Sequence, residues 1–252
     1  MKEKTTVSII MPTYNSSLFV IETIQSVLSQ DFQNWELLIT DDCSTDGTVE
    51  LIKSHFNDKR INIAVNAENS GAAITRNSSI NRSVGEYLAF LDADDLWSPD
   101  KLSLQLKFMQ DNEYSFTYTA YELIDKEGEK LNRFVDLNNA KSVAYKDMLK
   151  KKSTLGCSTV MVERSVFNNL RMPNIRTGQD YATWLLILKK VGSAFCFNSV
   201  LTQYRIVPGS ISRNKIKKAK RQWEIYRKLE HLSIVYSSYC FLFYAYRAVF
   251  RK

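Results

Sequence analysis

Two hydrophobic periods alternate along the first 113 residues. Short runs rich in β-branched residues predict buried strands, and between them apolar side chains recur every three or four positions, as in helices. The predicted strands are VSIIM (7–11), WELLIT (35–40), INIAVN (61–66) and GEYLAFLD (85–92). The first predicted helix lies within 16–30, with Ser16 or Ser17 as N-cap and an apolar stripe from Val20 to Leu28. The other predicted helices are 48–56, 72–83 and 98–112. This order predicts an α/β fold with a mostly parallel sheet and helices on its faces.

The pattern becomes less regular from residue 114 onwards. SFTYTAYELI (115–124) and STVMV (158–162) have strand character, whereas a lysine-rich segment at 141–152 and the apolar stripe at 181–191 predict helices. We find neither an internal repeat nor a low-complexity linker. The sequence therefore predicts one domain at 1–213, with halves of about 1–113 and 114–213, and a helical extension at 214–252.

Carboxylates gather where two predicted strands end. Asp41 and Asp42 follow the second strand, and Asp92, Asp94 and Asp95 follow the fourth. Ligands of open α/β sheets bind outside the carboxyl ends of the strands, so we expect these groups on one edge. Neighbouring carboxylates raise one another's pKa unless a cation compensates them. Mg²⁺ or Mn²⁺, which bind carboxylates and phosphate oxygens together, would suit this edge.

Helix capping explains part of the acidic stretch. Ser98 is a predicted N-cap, with Pro99 at the first helical position and Asp100 in the first turn, so capping accounts for Asp100. It does not account for the three carboxylates that precede the cap. The pair after the second strand is, by itself, equally compatible with a turn and with a ligand contact.

Five segments carry a family resemblance: VSIIMPTYN, LLITDDCSTDGT, NSGAAITRN, GEYLAFLDADD and GQDYATWL. In this order and spacing they resemble the inverting glycosyltransferase family 2, over about residues 5–213. The resemblance implies the GT-A fold, a Rossmann-like nucleotide-binding sheet continuous with an acceptor-binding half. It also implies transfer of a hexosyl or N-acetylhexosaminyl group from a nucleotide-diphospho-sugar, commonly a UDP-sugar, to a glycan or polyprenyl-linked acceptor. The expected setting is bacterial surface-polysaccharide assembly at the cytoplasmic face of the membrane.

The resemblance also assigns roles to individual residues. Asp180 matches the general base of the family, and Asp94 and Asp95 match the carboxylates nearest the metal. Arg213 is a further, weaker candidate for offsetting phosphate charge. The residues that we expect at the nucleotide-sugar are Pro12, Thr13, Tyr14, Asn15, Asp42, Arg76, Asp92, Asp94 and Arg205.

The inventory of bases supports a catalytic carboxylate. An inverting transfer needs a group that takes a proton from the acceptor hydroxyl, and neither histidine falls in a motif. Asp180 has an alternative role as N-cap of its helix, for which Thr177 is a rival. Two departures, Gln179 where the family often has Glu and Val207 where His is common, leave open a non-catalytic nucleotide-sugar or glycan-binding relative.

Charge is distributed unevenly along the chain. The net charge of +7 combines −10 over residues 1–140 with +17 over residues 141–252. Eight Lys or Arg residues lie at 213–228, and the aromatic-rich run 232–250 that follows contains Arg247 as its one charge. This pairing favours peripheral contact with an anionic membrane through 213–252, with packing on the domain as the alternative. Because an apolar helix rather than a nucleic-acid module follows the basic residues, we expect no nucleic-acid partner.

Cysteine usage and the N-terminus indicate the compartment. The four cysteines form no CxxC pair, and neither histidine lies near one, so a structural zinc site is not expected. The apolar stretch 7–11 is too short for the core of a secretion signal. We therefore expect a reduced, cytoplasmic protein.

Overall fold

The computed structural model describes residues 5–138, 140–168, 170–207 and 215–250, without the side chains of 215 and 248–250. The strands are β1 (Val7–Thr13), β2 (Trp35–Asp41), β3 (Ile61–Val65), β4 (Tyr87–Phe90), β5 (Leu96–Trp97), β6 (Phe116–Ile124), β7 (Lys130–Val135), β8 (Ser142–Ala144), β9 (Met161–Glu163) and β10 (Ser193–Arg205). The helices are α1 (Val20–Leu28), α2 (Thr48–His55), α3 (Ala72–Arg82), α4 (Lys101–Asp111), α5 (Tyr145–Leu149), α6 (Gln179–Val191), α7 (Lys215–Glu224) and α8 (Ile234–Phe250).

Within these ranges, ten strands form one mixed sheet in the order β3-β2-β1-β4-β9-β6-β10-β5, with β7 beside β6 and β8 beside β10. The pairs β1–β2, β1–β4 and β2–β3 are parallel, which confirms the predicted arrangement of the first half. Strand β9 then joins β4 to β6 through two antiparallel pairings. The sheet therefore runs without a break from the nucleotide half into the acceptor half.

Apolar side chains alternate between the two faces of the central strands. Val7, Ile9 and Met11 of β1 belong to one buried cluster, whereas Ile10 belongs to the other. This period of two is the consequence of strand geometry, and both faces are covered because the crossover helices lie on both sides.

Three sequence predictions about local structure were wrong. The segment 141–152 contains β8 and the short α5 rather than one helix, because β8 pairs with β10 and buries Val143. Helix α1 begins after Phe19 without a side-chain cap, since only the backbone carbonyl of Ser16 accepts the Val20 amide, at 3.0 Å. Helix α4 likewise begins after Asp100, and Ser98 contributes its carbonyl rather than its hydroxyl. In each case tertiary or backbone pairing took the place of the expected side-chain signal.

The C-terminal helices pack against the acceptor half. A π-helical turn at Ile225–Leu229 joins α7 towards α8, and Ile225, Tyr226 and Cys240 lie in the same buried cluster as the apolar side of α6. The buried carboxylate of Glu230 accepts hydrogen bonds from Tyr145 and, at 2.5 Å, from the ammonium of Lys189. No helix among the described residues is long and apolar enough to cross a membrane. The domain boundary near residue 213 stays a prediction.

Candidate active site

The carboxyl ends of β1 and β2 are joined by short polar contacts. The Asp42 amide donates to the Thr13 carbonyl at 2.8 Å, and the Thr13 hydroxyl donates to the Asp41 carboxylate at the same distance. Ser44 donates to Asp41 through both its amide and its hydroxyl. Asp41 is therefore occupied in holding the sheet edge together.

The loop after β1 reaches across to the loop after β2. The Asn15 amide donates to the Ser44 hydroxyl at 2.8 Å, and the Asn15 side chain accepts from the Thr45 amide at 2.9 Å. Asn15 has φ of 48°, a left-handed conformation that asparagine tolerates better than most residues. Pro12 is the second-last residue of β1, and Tyr14, just after the strand, is half exposed. The predicted nucleotide border thus forms one continuous rim.

Asp42 holds the start of α3. Its carboxylate accepts hydrogen bonds from the Asn66 side chain at 2.8 Å and from the amides of Ser70 and Gly71 at 2.9 and 2.7 Å. Burial acts to raise the pKa of Asp42, but these hydrogen bonds outweigh it and hold the pKa below its ordinary value. An ionised acceptor therefore lies at the sheet edge, and its predicted contact with a base stays a prediction.

Arg76 joins α3 to residues 92–95 after β4, hereafter the acidic segment. The buried guanidinium forms an ion pair with Asp92 through Nη2, whereas Nε and Nη1 have no hydrogen-bond partner among the described residues. Burial opposes the charge of Arg76, yet neighbouring ionisable groups, including Asp92 and Asp180, outweigh it and raise the pKa. The site therefore contains a permanent cation with two donors to spare, within the field of both carboxylates.

Asp94 and Asp95 differ in their surroundings. Asp95 is completely buried, and its two oxygens accept hydrogen bonds from the Ser158 hydroxyl and from the Arg205 amide at 2.9 Å. Burial, and then the charges of Asp94 and Asp92, raise the pKa of Asp95 well above its usual range. The same two causes, burial and the charge of Asp92, raise the pKa of Asp94 to about 6. Such crowding of carboxylates would be relieved by a cation.

The Arg205 side chain is bonded to protein groups. We expected its guanidinium at the phosphates, but the side chain is 1% exposed and its donors are bound to protein oxygens. Nε donates to the Asp94 carbonyl at 2.9 Å, Nη1 to the carbonyls of Asp125 and Lys126, and Nη2 to Glu22 at 2.7 Å. Arg205 therefore holds the acidic segment in position, and its predicted contact with the phosphates stays a prediction. The weaker candidate, Arg213, lies outside the described residues.

Asp180 occupies the second position of α6. The N-cap is Gly178 at φ of 75°, and no side chain caps the helix. The predictions of Asp180 or Thr177 as N-cap were therefore wrong. No hydrogen bond to the Asp180 carboxylate is formed within the described part of the chain. Burial lowers the pKa of Lys218 on α7, and the charge of Asp180 opposes that change, so the two groups are neighbours. The Asp180 carboxylate thus lies between α7 and the Arg76–Asp92 pair.

The profile of the family described as glycosyl transferase family 2 matches residues 8–171. The chain belongs to this family. It is 44% identical over 99% of its length, and 98% of the relative's, to the putative teichuronic acid biosynthesis glycosyltransferase TuaG of Bacillus subtilis. It is also 39% identical to the Escherichia coli UDP-Glc:alpha-D-GlcNAc-diphosphoundecaprenol beta-1,3-glucosyltransferase WfgD, over 87% of this chain and 84% of WfgD. The family predicted from the five segments is confirmed.

Solved structures confirm the GT-A fold of this glycosyltransferase. The structure of Staphylococcus aureus TarS 1–349 with UDP-GlcNAc superposes with a TM-score of 0.74 at 20% identity, over 88% of this chain and 64% of that one. A mannosyltransferase from Pyrobaculum calidifontis, in complex with GDP-Man and Mn²⁺, superposes with a TM-score of 0.69 at 18% identity, over 92% of this chain and 66% of that one. The chain thus spans just under two thirds of these solved proteins.

Two residues of the glycosyltransferase site were not foreseen from the sequence. The Ser158 hydroxyl accepts from the Asp92 amide at 3.0 Å while donating to Asp95, so it joins both ends of the acidic segment. Glu22 on α1 pairs with Arg205. Neither lies in a recognisable motif, and only folding brings them beside residues so distant in sequence.

The acidic segment could hold a divalent metal only together with ligands from a bound substrate. The described residues contain no group of three or more His, Cys, Asp or Glu side chains arranged to hold an ion. Asp92 is paired with Arg76 and Asp95 is hydrogen-bonded on both oxygens, which leaves Asp94 as the candidate ligand. Mg²⁺ and Mn²⁺ are commonly bound by one or two carboxylates together with substrate phosphates, and this donor set matches that pattern. The prediction that Asp95 also binds the metal stays a prediction.

Proposed function

We propose that this enzyme is an inverting glycosyltransferase that moves a sugar from a UDP-sugar to a hydroxyl of a polyprenyl-diphosphate-linked glycan during surface-polysaccharide synthesis. The observation that carries the proposal is the Asp180 carboxylate, which has no hydrogen-bond partner among the described residues and lies within the field of Arg76. The names of the relatives TuaG and WfgD, and the UDP-GlcNAc complex of TarS, support the donor and acceptor classes.

In the proposed reaction Asp180 is the general base. Its carboxylate takes the proton of the acceptor hydroxyl as that oxygen forms a bond to the anomeric carbon of the sugar. The bond from the anomeric carbon to the diphosphate oxygen breaks on the opposite face, so the electron pair leaves with UDP and the configuration inverts.

Arg76 is the proposed partner of the leaving group. Its Nε and Nη1 donors have no partner among the described residues, and a guanidinium binds phosphate oxygens through paired donors. Asp94 would hold a divalent ion, Mn²⁺ or Mg²⁺, which would neutralise the diphosphate when bound. Asp92 keeps Arg76 in position through their ion pair. These residues therefore stabilise the charge that develops on UDP.

The nucleoside is proposed to lie along the rim of β1 and β2. Pro12, Thr13, Tyr14 and Asn15 would border it, and Asp42 would accept a hydrogen bond from the base.

We also propose that the enzyme works at the cytoplasmic face of the membrane, held peripherally through residues 213–252, where a lipid-linked acceptor is available. The six charged residues of α7 include five Lys or Arg, whose charge favours an anionic surface.

Release of UDP tests the proposal. The purified chain with Mn²⁺ is incubated with UDP-glucose, UDP-galactose or UDP-N-acetylglucosamine and a synthetic lipid-diphosphate-linked N-acetylglucosamine. We expect UDP release and a glycosylated lipid of inverted configuration with one donor. Release without transfer, in amounts independent of acceptor, would contradict the acceptor class.

Gln179 favours a second candidate function. It replaces the charge that the family often has beside the base, and its Oε1 is buried without a partner among the described residues. A non-catalytic nucleotide-sugar or glycan-binding protein would bind a UDP-sugar in a calorimeter but release no UDP with any acceptor. The same donor panel, measured by both methods, separates the two functions.

A further inference from the structure

One face of α8 is apolar, uncharged and exposed. Val235, Tyr239, Leu242 and Tyr246 have exposed fractions of 81%, 43%, 69% and 63%. Their spacing of four, three and four residues places them on one side of a helix. Cys240, from the opposite side of the helix, is buried in the domain core. Packing on the domain thus occupies one side of α8, whereas these four residues, hereafter the α8 face, are exposed to solvent.

Cations border the α8 face. The Lys150 ammonium lies 5.1 Å from the centroid of the Tyr239 ring and 5.6 Å from that of Phe243. Near the other end, the Arg247 guanidinium donates to the Lys152 carbonyl at 3.4 Å. The segment 231–250 contains no Asp or Glu. The surroundings of the face are therefore positive as well as apolar.

We propose that the α8 face, with Lys150 and Arg247 at its border, docks the enzyme on an anionic phospholipid bilayer. This proposal rests on the proposed function and specifies which surface meets the membrane. Leucine and valine enter the acyl boundary, tyrosine suits the headgroup level, and lysine and arginine pair with lipid phosphates. A second copy of the chain is a poorer occupant, because a symmetric interface would bring the cationic borders of the two copies together.

The segment that precedes α8 also contacts the start of α6, where Asp180 lies. The Trp223 ring of α7 packs edge-on against Phe241 of α8, with 5.7 Å between centroids. Next along the chain, Ile225 packs on the start of α6, so that a Cβ on Gly178 would lie 3.2 Å from Ile225 Cδ1. Gly178 is two residues from Asp180. The helix that carries the α8 face is therefore connected, through α7 and the turn after it, to the start of α6 where Asp180 lies.

Flotation with vesicles tests the docking surface. The full-length chain is centrifuged through a density gradient with vesicles of phosphatidylcholine alone or mixed with phosphatidylglycerol. We expect it to float with the mixed vesicles, and the variant carrying Leu242→Ser and Tyr246→Ser to show a partition coefficient lowered by about tenfold or more. Lys150→Gln should reduce only the preference for the anionic lipid. The matched control, Val65→Ser with Val84→Ser, removes two exposed apolar side chains elsewhere and should float like the wild type.

Three outcomes would overturn the proposal. The first is recovery of the wild type unbound from both vesicle types, and the second is an α8 variant that floats as well as the wild type. Light scattering could instead reveal a dimer that the α8 variant converts to a monomer, which would identify a second copy as the occupant. Calorimetric binding of UDP with Mn²⁺ should be equal in wild type and variant. Failure of the proposed function is distinguishable, because vesicle binding would then persist in a protein that releases no UDP.

Discussion

The Arg205 guanidinium donates a hydrogen bond of 2.9 Å from Nε to the backbone carbonyl of Asp94, and its amide donates one of equal length to the carboxylate of Asp95. Arg205 ends β10, whereas the two aspartates follow β4. The acidic segment is therefore held by a strand from the acceptor half. This relationship explains how the pairing of β10 in the sheet fixes the position of Asp94 and Asp95.

Arg205→Lys should destabilise the fold. Lysine retains the charge facing Glu22 but lacks the planar fork that reaches the carbonyls of Asp94, Asp125 and Lys126. We expect the free energy of unfolding, measured in urea, to fall by about 2–3 kcal/mol. Glu22→Gln is the control and should cost under about 1 kcal/mol, because Glu22 is largely exposed. An unchanged stability together with a raised KM for the donor would instead indicate direct phosphate contact.

Ser158→Ala should remove hydrogen bonds that hold the acidic segment in position. The substitution removes the donor to Asp95 in a buried setting and leaves the part-buried Asp92 amide without its acceptor. We expect a loss of about 1–3 kcal/mol in the free energy of unfolding, and weaker calorimetric binding of UDP with Mn²⁺. Ser54→Ala removes an exposed hydroxyl bonded to the Leu51 carbonyl and should leave both quantities unchanged. Equal behaviour of the two variants would contradict the positioning role.

Asp180→Asn should abolish proton removal without disturbing the donor site. Asparagine has the size of aspartate but cannot accept the proton, so kcat should fall by about 10²–10⁴. The Kd for the UDP-sugar should stay within about twofold, since Asp180 makes no hydrogen bond in the described part of the chain. Asp111→Asn, at an exposed carboxylate paired with Lys107, serves as the control. Full activity of Asp180→Asn would remove it from the mechanism.

Asp94→Asn should separate the metal from the nucleotide. We expect the affinity for Mn²⁺ in the presence of UDP, measured by calorimetry, to fall by at least about tenfold, because one of few oxygen ligands loses its charge. Chelation with EDTA should remove transfer activity from the wild type, and added Mn²⁺ should restore it. Asp100→Asn, at the start of α4, should bind Mn²⁺ like the wild type. If Asp94→Asn also does so, another group holds the ion.

Lys101 should make stability rise with pH. Its ammonium is completely buried and donates to the Gln105 side chain at 2.5 Å, and burial lowers the pKa of Lys101 to about 7 from 10.5. Between these values the unfolded chain binds a proton that the folded chain does not. This group therefore adds up to about 1.4 kcal/mol per pH unit to the free energy of unfolding in that window, and the gain is absent below pH 7.

Urea unfolding at pH 7 and pH 9 measures this effect. In Lys101→Gln the side chain is neutral at both values, so the increase should be smaller than in the wild type. Lys107→Gln changes an exposed lysine of the same helix and should keep the full increase. An identical rise in wild type and Lys101→Gln would show that Lys101 stays charged in the fold.

The hydrophobic pattern predicted the alternating strands and helices of the first half of the chain. Strands β1 to β4 and helices α1 to α4 lie close to their predicted ranges, because their hydrophobic periods match their own backbone geometry. Parallel strands then bring their carboxyl ends together, so the meeting of residues 12–15 with Asp42 and the acidic segment followed from order alone. The long β10 and the short β8 were not foreseen, since each is defined by pairing with a distant strand.

The sequence by itself determined the family, the α/β order and the carboxylates of the site. Only the tertiary structure decided which polar groups are already used. Arg205 and Asp95 have their hydrogen bonds met by protein, whereas Asp180 and two donors of Arg76 have no partner among the described residues. It also divided α8 into a packed side and an exposed one. The reason is physical: burial and hydrogen-bond satisfaction depend on neighbours that the fold brings from far along the chain.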